Sequence, residues 1–197
     1  MTDIINWIVS NYIELLGALL GIVGVSFQIK QNVWVWPINI LASVMYVVIF
    51  LNAQLYALMS LQFYFIAVGI YGWYQWKHPK PKDGIVTNEL SITSLKLKTT
   101  ILYSSVLAVF WVLLYWFLKE YTNDSAPILE SLITAMSLVA SLMLAKKIIE
   151  QWLLWFIADA IAVGLYISQH LYPTAVFYFI LVIMAIIGYY QWKKEMT

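Results

Sequence analysis

Residues 74–77 read YQWK, and the same four residues return at 190–193, 116 positions further along the chain. At this single offset, and without a gap, residues 14–77 align with residues 130–193, and 16 of the 64 aligned positions are identical. A biased composition alone would give scattered matches, so the offset predicts two copies of one structural unit. The identical pairs include charges, tryptophan and glycine: Glu14 with Glu130, Lys30 with Lys146, Trp36 with Trp152, and Gly72 with Gly188.

The composition places both copies in a membrane. The 197-residue chain is 63% hydrophobic and 11% charged, with a mean hydropathy of +0.81, whereas soluble domains are about 45–50% apolar and about 25% charged. A helix needs roughly 20 mostly apolar residues to cross the hydrocarbon core. Each copy contains three such stretches, and a seventh lies between the copies. The predicted spans are residues 12–29, 36–52, 57–76, 99–118, 128–145, 152–168 and 172–192.

The lysines support the count of seven and give the spans a direction. With seven spans, ten of the eleven lysines fall on one side of the membrane, and only Lys119 falls on the other. Loops rich in lysine face the cytoplasm, so we expect a cytoplasmic C-terminus and an N-terminus outside. The ten lysines are Lys30, Lys77, Lys80, Lys82, Lys96, Lys98, Lys146, Lys147, Lys193 and Lys194.

The seventh span determines how the copies are oriented. Two three-helix units joined directly would face opposite ways, and one extra span makes them parallel. We therefore expect a first three-helix repeat at residues 1–78, a cytoplasmic linker at 79–98, a linking transmembrane helix at 99–118 and a second repeat at 119–197. Such 3+1+3 parallel repeats are typical of all-α carriers that hold their substrate between the repeats. A larger membrane bundle without transport is the alternative.

Several function classes are disfavoured by what the sequence lacks. There is no cysteine, so no disulfide or thiolate metal site is expected, and a net charge of +1 disfavours nucleic-acid binding. None of the basic residues is an arginine, which argues against a phosphorylated substrate. No phosphate-binding glycine loop or metalloprotease helix is present, so we expect no cofactor and no catalysis. An intramembrane enzyme, a receptor or a scaffold are weaker alternatives.

Asp159 is the most informative single residue, because it lies in the middle of the sixth span. A carboxylate at that depth costs about 2.5–3.5 kcal/mol on insertion scales and is functional by default. The alternative is a protonated acid bonded to a neighbouring helix. Trp152, Trp155 and Asp159 are spaced i, i+3 and i+7, which puts them on one helical face. The equivalent positions in the first repeat are Trp36, Asn39 and Ser43.

Other polar and aromatic side chains extend this candidate site. Gln62 lies in the third span with Tyr178 at the equivalent position, and Thr134 and Ser137 lie on one face of the fifth. They serve either helix packing or ligand contact. Tryptophans near span ends are expected to anchor the chain at the membrane interface, namely Trp34, Trp73, Trp76 and Trp192. The predicted substrate-binding set is Trp36, Asn39, Ser43, Tyr46, Gln62, Thr134, Ser137, Trp152, Trp155, Asp159 and Tyr178.

A carboxylate beside aromatic rings suits a flat organic cation. Aromatic faces attract cations by about 0.5–2 kcal/mol, the carboxylate balances the charge, and the amides would orient the ligand. The sequence therefore predicts a membrane carrier for a small cationic molecule, with the bilayer and the substrate as its partners and no metal.

The chain resembles the Pnu family of vitamin transporters over nearly its whole length. The resemblance rests on the segments Gln54-Leu55-Tyr56-Ala57, Leu61-Gln62, Tyr71-Gly72-Trp73-Tyr74-Gln75-Trp76, Met136-Ser137-Leu138-Val139-Ala140, Glu150-Gln151-Trp152-Leu153-Leu154-Trp155 and Gly188.

This resemblance implies uptake of an unphosphorylated cationic vitamin across the bacterial inner membrane. It implies facilitated diffusion, trapping by a cytoplasmic vitamin kinase, a fold like that of the SWEET sugar carriers, and a homotrimer. Nicotinamide riboside is the expected substrate, and thiamine, carried by another branch, is the alternative. The chain departs from the longer members in having little before its first span and in carrying Ala158-Asp159 where an amide-bearing segment is expected, which keeps thiamine open.

Overall fold

The computed structural model describes residues 12–52, 56–79, 89–123 and 125–196. Within these ranges the regular structure consists of seven α-helices, and every predicted span lies wholly inside one of them, which confirms the all-α, seven-helix class. Five of the helices, α2 and α4 to α7, are long and apolar enough to cross a membrane by length and composition. The helices are α1 Tyr12–Ile29, α2 Val35–Asn52, α3 Tyr56–Lys77, α4 Leu97–Tyr121, α5 Pro127–Ala145, α6 Gln151–Ser168 and α7 Tyr172–Met196.

The 116-residue offset of the sequence is also an offset of the structure. It maps α2 onto α6 from end to end, the start of α3 onto the start of α7, and α1 onto α5 to within one residue. The turns after α1 and α5 match as well, because Gln31 and Lys147 both adopt left-handed backbone conformations, with φ of 51° and 50°. Few residues other than glycine occupy this region, so the shared turn indicates one duplicated unit.

The helices pack in a pattern that repeats with this offset. Helix α2 contacts α1 and α3, just as α6 contacts α5 and α7. Between the repeats, α3 packs on α5 and α7 packs on α1, which are again equivalent contacts. The first helix of each repeat therefore packs against the third helix of the other.

A buried tryptophan lies against a glycine in each repeat. A Cβ atom at Gly72 would lie 2.3 Å from Cη2 of Trp36, and one at Gly188 would lie 2.5 Å from Cη2 of Trp152. Both distances are far below van der Waals contact, so only glycine leaves room for the indole. These four residues were identical pairs in the sequence, and close packing is the physical reason.

Trp76 and Trp192 do not face lipid, so the expectation that they anchor the chain at the membrane interface was wrong. Both are buried, and each meets the buried tryptophan of its own repeat edge to face, Trp36 to Trp76 at 5.4 Å and Trp152 to Trp192 at 5.6 Å between ring centroids. Trp76 and Trp192 also approach each other at 6.4 Å. A position near a span end is compatible with either the lipid headgroups or the protein interior. Contacts with the opposite repeat place both side chains in the protein interior. The other two tryptophans expected at the interface are exposed: Trp34 and Trp73.

The end of the linker is fastened to the second repeat. In the segment of residues 89–96, here called the strap, Thr93 pairs with the turn after α5: its N–H donates to the carbonyl of Lys147 and its carbonyl accepts from the N–H of Ile149, both at 2.9 Å. The Ser94 hydroxyl and the Leu95 N–H donate to the Glu150 carboxylate. Helix α4 then packs on α5 and buries none of its residues.

Candidate functional site

Two adjoining cavities lie between the repeats, with volumes of about 210 and 280 Å³. They share Gln28, Asn39 and Trp155 in their walls and so form two parts of one space. The first, the Asp159 cavity, is also lined by Gly21, Val25, Trp152, Asp159, Leu181 and Ala185. The second, the Gln62 cavity, is also lined by Trp36, Ala42, Ser43, Tyr46, Gln62, Phe65, Val68, Gly69, Ser141 and Leu144.

The two cavities are built from equivalent helices. The Asp159 cavity takes its walls mainly from α6, α7 and α1, and the Gln62 cavity takes its walls mainly from α2, α3 and α5. Several lining residues correspond at the 116-residue offset: Trp36 with Trp152, Ser43 with Asp159, Phe65 with Leu181, Gly69 with Ala185, and Val25 with Ser141. At the boundary, Asn39 and Trp155 are themselves an equivalent pair. The space between the repeats is therefore pseudo-symmetric in shape and asymmetric in chemistry.

Among the side chains that the structure describes, Asp159 is the only acidic one in the walls of these cavities. Its side chain is 5% exposed, and within the described ranges no side chain donates a hydrogen bond to it. None of the described lysines lines either cavity. A carboxylate that faces a buried cavity without a protein cation is suited to a ligand that brings positive charge.

The tryptophans of α6 add flat surface and hydrogen-bond donors to the same cavity. Trp152 and Trp155 both line it together with Asp159. This confirms that the three side chains share one face of the helix, as their spacing predicted. The indole N–H groups of both are buried and have no partner among the described residues. Buried indole donors are usually paired, so these two are available to a ligand.

The Gln62 cavity is richer in neutral polar groups. Asn39, Ser43, Tyr46 and Gln62 contribute two amides and two hydroxyls to its walls. Groups of this kind can both donate and accept hydrogen bonds. This cavity is therefore suited to an uncharged, hydroxyl-bearing part of a ligand.

The structure brings together eight of the eleven residues predicted for the site, and three lie outside these two cavities. Thr134 and Ser137 do not line them, and the Ser137 hydroxyl donates to the Ile133 carbonyl in its own helix at 2.9 Å. Tyr178 stacks on Tyr166, with 5.2 Å between ring centroids, instead of taking the place that Gln62 has in the first repeat. The eight that line the cavities are Trp36, Asn39, Ser43, Tyr46, Gln62, Trp152, Trp155 and Asp159.

Gln28 is the main residue that sequence reasoning missed. It is 5% exposed, lines both cavities, and donates through Nε2 to Oε1 of Gln151 at 2.9 Å. The offset could have found it, because an amide stands in an apolar span where the second repeat has Leu144. A polar residue that only one copy carries is a candidate for function.

Comparison with known proteins places this geometry among transporters. Residues 11–194 match the family described as Nicotinamide mononucleotide transporter. The chain is 26% identical over 206 residues to the Nicotinamide riboside transporter PnuC of Escherichia coli, covering 92% of this chain and 85% of that one. It is also 26% identical over 154 residues to the Riboflavin/roseoflavin transporter RibM of Streptomyces davaonensis, covering 77% of this chain and 70% of that one.

A solved structure carries the same fold. The crystal structure of the vitamin B3 transporter PnuC superimposes with a TM-score of 0.74 at 18% identity, covering 99% of this chain and 86% of that one. Because the family match spans nearly all of the described helices, this chain is an integral membrane protein and belongs to the nicotinamide mononucleotide transporter family.

Proposed function

We propose that this protein takes up a flat, cationic vitamin, most specifically nicotinamide riboside, and that the substrate binds in the two cavities between the repeats. The observation that carries the proposal is the Asp159 carboxylate, buried beside Trp155 in a cavity without a lysine in its walls. Curated relatives transport a nicotinamide riboside and a flavin, and the chemistry of this cavity favours the first.

The charged ring would occupy the Asp159 cavity. A pyridinium ring is flat and permanently positive, so it can lie on an indole face while its charge meets the carboxylate. Cation–π contact contributes about 0.5–2 kcal/mol. A close charge pair shielded from water couples by about 1.5–7 kcal/mol in measured interfaces. Riboflavin is neutral and gains neither contribution.

The sugar would occupy the Gln62 cavity. Ribose offers hydroxyls that donate and accept, and Asn39, Ser43 and Gln62 present matching groups. Asn39 and Trp155 line both cavities. The glycosidic bond, which joins ring and sugar, would therefore lie next to these two side chains. This arrangement assigns the two halves of one substrate to the two repeats.

The site favours the riboside over its phosphorylated form. The chain has no arginine, and among the described residues no lysine lines either cavity. A phosphate group would bring nearly two negative charges into a space that already contains Asp159. Repulsion would offset the attraction of the ring.

With no nucleotide-binding motif in the sequence, we expect facilitated diffusion, with phosphorylation by a cytoplasmic kinase trapping the product. The lysine partition supports insertion in the bacterial inner membrane with the C-terminus in the cytoplasm. The homotrimer, the likeness to SWEET carriers and the division of the chain at residues 78, 98 and 118 stay predictions. An intramembrane enzyme is the lower-ranked alternative.

Uptake into liposomes tests the proposal. Purified protein in liposomes without ATP or an ion gradient should equilibrate labelled nicotinamide riboside and then stop. Unlabelled riboside should compete strongly, and the mononucleotide and riboflavin should compete weakly. Stronger competition by thiamine would identify thiamine as the substrate instead, since it is also an aromatic cation. Chemical alteration of the label, or no uptake of either cation, would contradict the proposal.

A further inference from the structure

A closed layer of side chains separates the two cavities from the lysine-rich end of the molecule. Trp76 and Trp192 meet in its centre, and both are buried. The indole N–H of Trp192 donates to the carbonyls of Gln28 and Ile29 at the end of α1, at 3.1 and 3.2 Å. Beside them, the amide of Gln28 bonds to that of Gln151. Each of these contacts joins one repeat to the other.

The outer side of this layer is a pair of equivalent residues that bond to each other. Lys147 donates from Nζ to Oε1 of Gln31 at 2.9 Å, and the two positions are 116 residues apart. The ammonium group also lies 4.6 Å from the ring centroid of Trp76. Lys147 is 3% exposed, and burial lowers the pKa of its ammonium group while Glu89 and Glu195 oppose that shift. The pseudo-symmetry axis therefore passes through a partly buried contact between the repeats.

Two polar atoms inside the layer have no hydrogen-bond partner among the described residues, namely Nε1 of Trp76 and Nε2 of Gln151. Both are buried, so each would gain partners from water if the layer opened. Three further unpaired indole nitrogens, those of Trp36, Trp152 and Trp155, belong to the cavity walls. Opening the layer would therefore remove the cost of keeping its two unpaired atoms away from water, while the contacts between the repeats hold it closed.

We infer that this layer is the gate at the lysine-rich end of the transport path, and that it opens when the two repeats separate there. Gln28 connects the gate to the substrate, because its side chain lines both cavities while its carbonyl accepts from Trp192. A substrate in the cavities would lie against Gln28, which also bonds to Gln151. Binding or release of the substrate would therefore change the surroundings of a contact that holds the gate closed. This inference rests on the proposed function, but its location and partners come from the contacts between the repeats.

Cross-linking across the gate tests the inference in a chain that has no cysteine of its own. The variant Q31C/K147C is linked with a bis-methanethiosulfonate, which a reductant releases. Linking should lower the rate of nicotinamide riboside uptake into liposomes at least tenfold, and reduction should restore that rate. The matched control is S94C/E150C, whose positions are also in contact but lie in the strap and the second repeat. Linking that pair should leave uptake within twofold.

Undiminished transport by the linked Q31C/K147C protein would overturn the gate. So would equal inhibition in both linked pairs, because the block would then not depend on separating the repeats. If the reduced variants and the wild type all fail to carry the riboside, the proposed substrate is wrong. The gate is then tested by thiol labelling, which needs no substrate.

Thiol labelling judges the gate without a substrate. A single cysteine at Ala42, in the wall of the Gln62 cavity, is treated with a membrane-impermeant thiol reagent from each side of the membrane. A cysteine at Lys98 marks the lysine-rich side. Labelling of A42C from that side should be slow and should become at least fivefold faster when K147M is added. A thermal melt shows whether the K147M variant is folded. If it is folded and the labelling rate does not change, the inference is contradicted.

Discussion

On α2 of the first repeat, the residue one turn after the buried tryptophan is Asn39, and the residue one turn further is Ser43; on α6 of the second repeat the same two positions hold Trp155 and Asp159. The helices that carry them have matching ends. Both faces line the space between the repeats. One repeat thus presents amide and hydroxyl where the other presents an indole and a carboxylate.

The comparison separates residues that build the frame from residues that confer chemistry. Where the repeats are identical, as at Trp36 with Trp152 and Gly72 with Gly188, a packing constraint explains the identity. Where they differ on the inward faces, the difference produces two unlike cavities. An asymmetric substrate, with a charged ring at one end and a sugar at the other, requires such a difference.

The largest expected effect comes from making the repeats alike in charge. Asp159→Asn retains the shape of the side chain and removes its charge. Losing one partner of a buried charge pair costs about 2–5 kcal/mol, so affinity for nicotinamide riboside should fall by roughly 30-fold or more. Binding calorimetry in detergent measures this. Unchanged affinity in a folded variant would remove Asp159 from the site.

The frame should respond equally in the two repeats. A methyl group at Gly72 or at Gly188 meets an indole ring at 2.3 or 2.5 Å, and overpacking costs typically about 1–3 kcal/mol. Gly72→Ala and Gly188→Ala should therefore each lower thermal stability, by similar amounts, in a fluorescence-monitored melt. If one variant is destabilised and the other melts like the wild type, the pseudo-symmetric packing is not equivalent.

A milder change tests the aromatic side of the Asp159 cavity. Trp155→Phe keeps a ring but gives up the indole N–H, which is buried without a partner in the described structure. Because indole is the best cation–π partner and the contact is worth about 0.5–2 kcal/mol, affinity for the riboside should drop about three- to tenfold. Asn39→Ala, at the equivalent position, should weaken binding without changing the preference for a charged ring.

The smallest effect is expected at a glycine that is not part of the frame. Gly164 lies in α6, and a Cβ atom there would meet nothing within 4 Å. Alanine is favoured over glycine in a helix by about 0.8–1.0 kcal/mol in water. Gly164→Ala should raise the melting temperature slightly and leave transport unchanged. A loss of stability as large as that of Gly188→Ala would show that any glycine of these helices is equally sensitive.

Most of the fold could be predicted from sequence, because apolar length and a gapless offset depend on local patterns. The positions of Trp152, Trp155 and Asp159 on one face followed from helical spacing alone. Trp192 could not be placed in this way, because it packs against Trp76 and bonds to Gln28, which lies 164 residues away in sequence. A residue near a span end suits lipid headgroups and a protein interior equally well.

The candidate site was predicted less completely than the fold for a related reason. Equivalence at the offset put Tyr178 where Gln62 lies, but a larger ring found a stacking partner in Tyr166. Hydroxyls such as that of Ser137 satisfy themselves on the preceding turn and carry no signal of a ligand. Helical spacing identifies a face, and neighbouring helices determine which residues of that face reach the cavity.

One measurement tests the central claim most directly. Nicotinamide riboside and its reduced, dihydro form have nearly the same shape, but only the first carries a positive ring. The affinities of both are measured by calorimetry for the wild type and for Asp159→Asn. The wild type should prefer the charged form strongly, and Asp159→Asn should lower that preference at least tenfold, leaving only the share that cation–π contact with Trp155 contributes. An equal preference in both proteins would contradict the claim that Asp159 and its cavity select a cation.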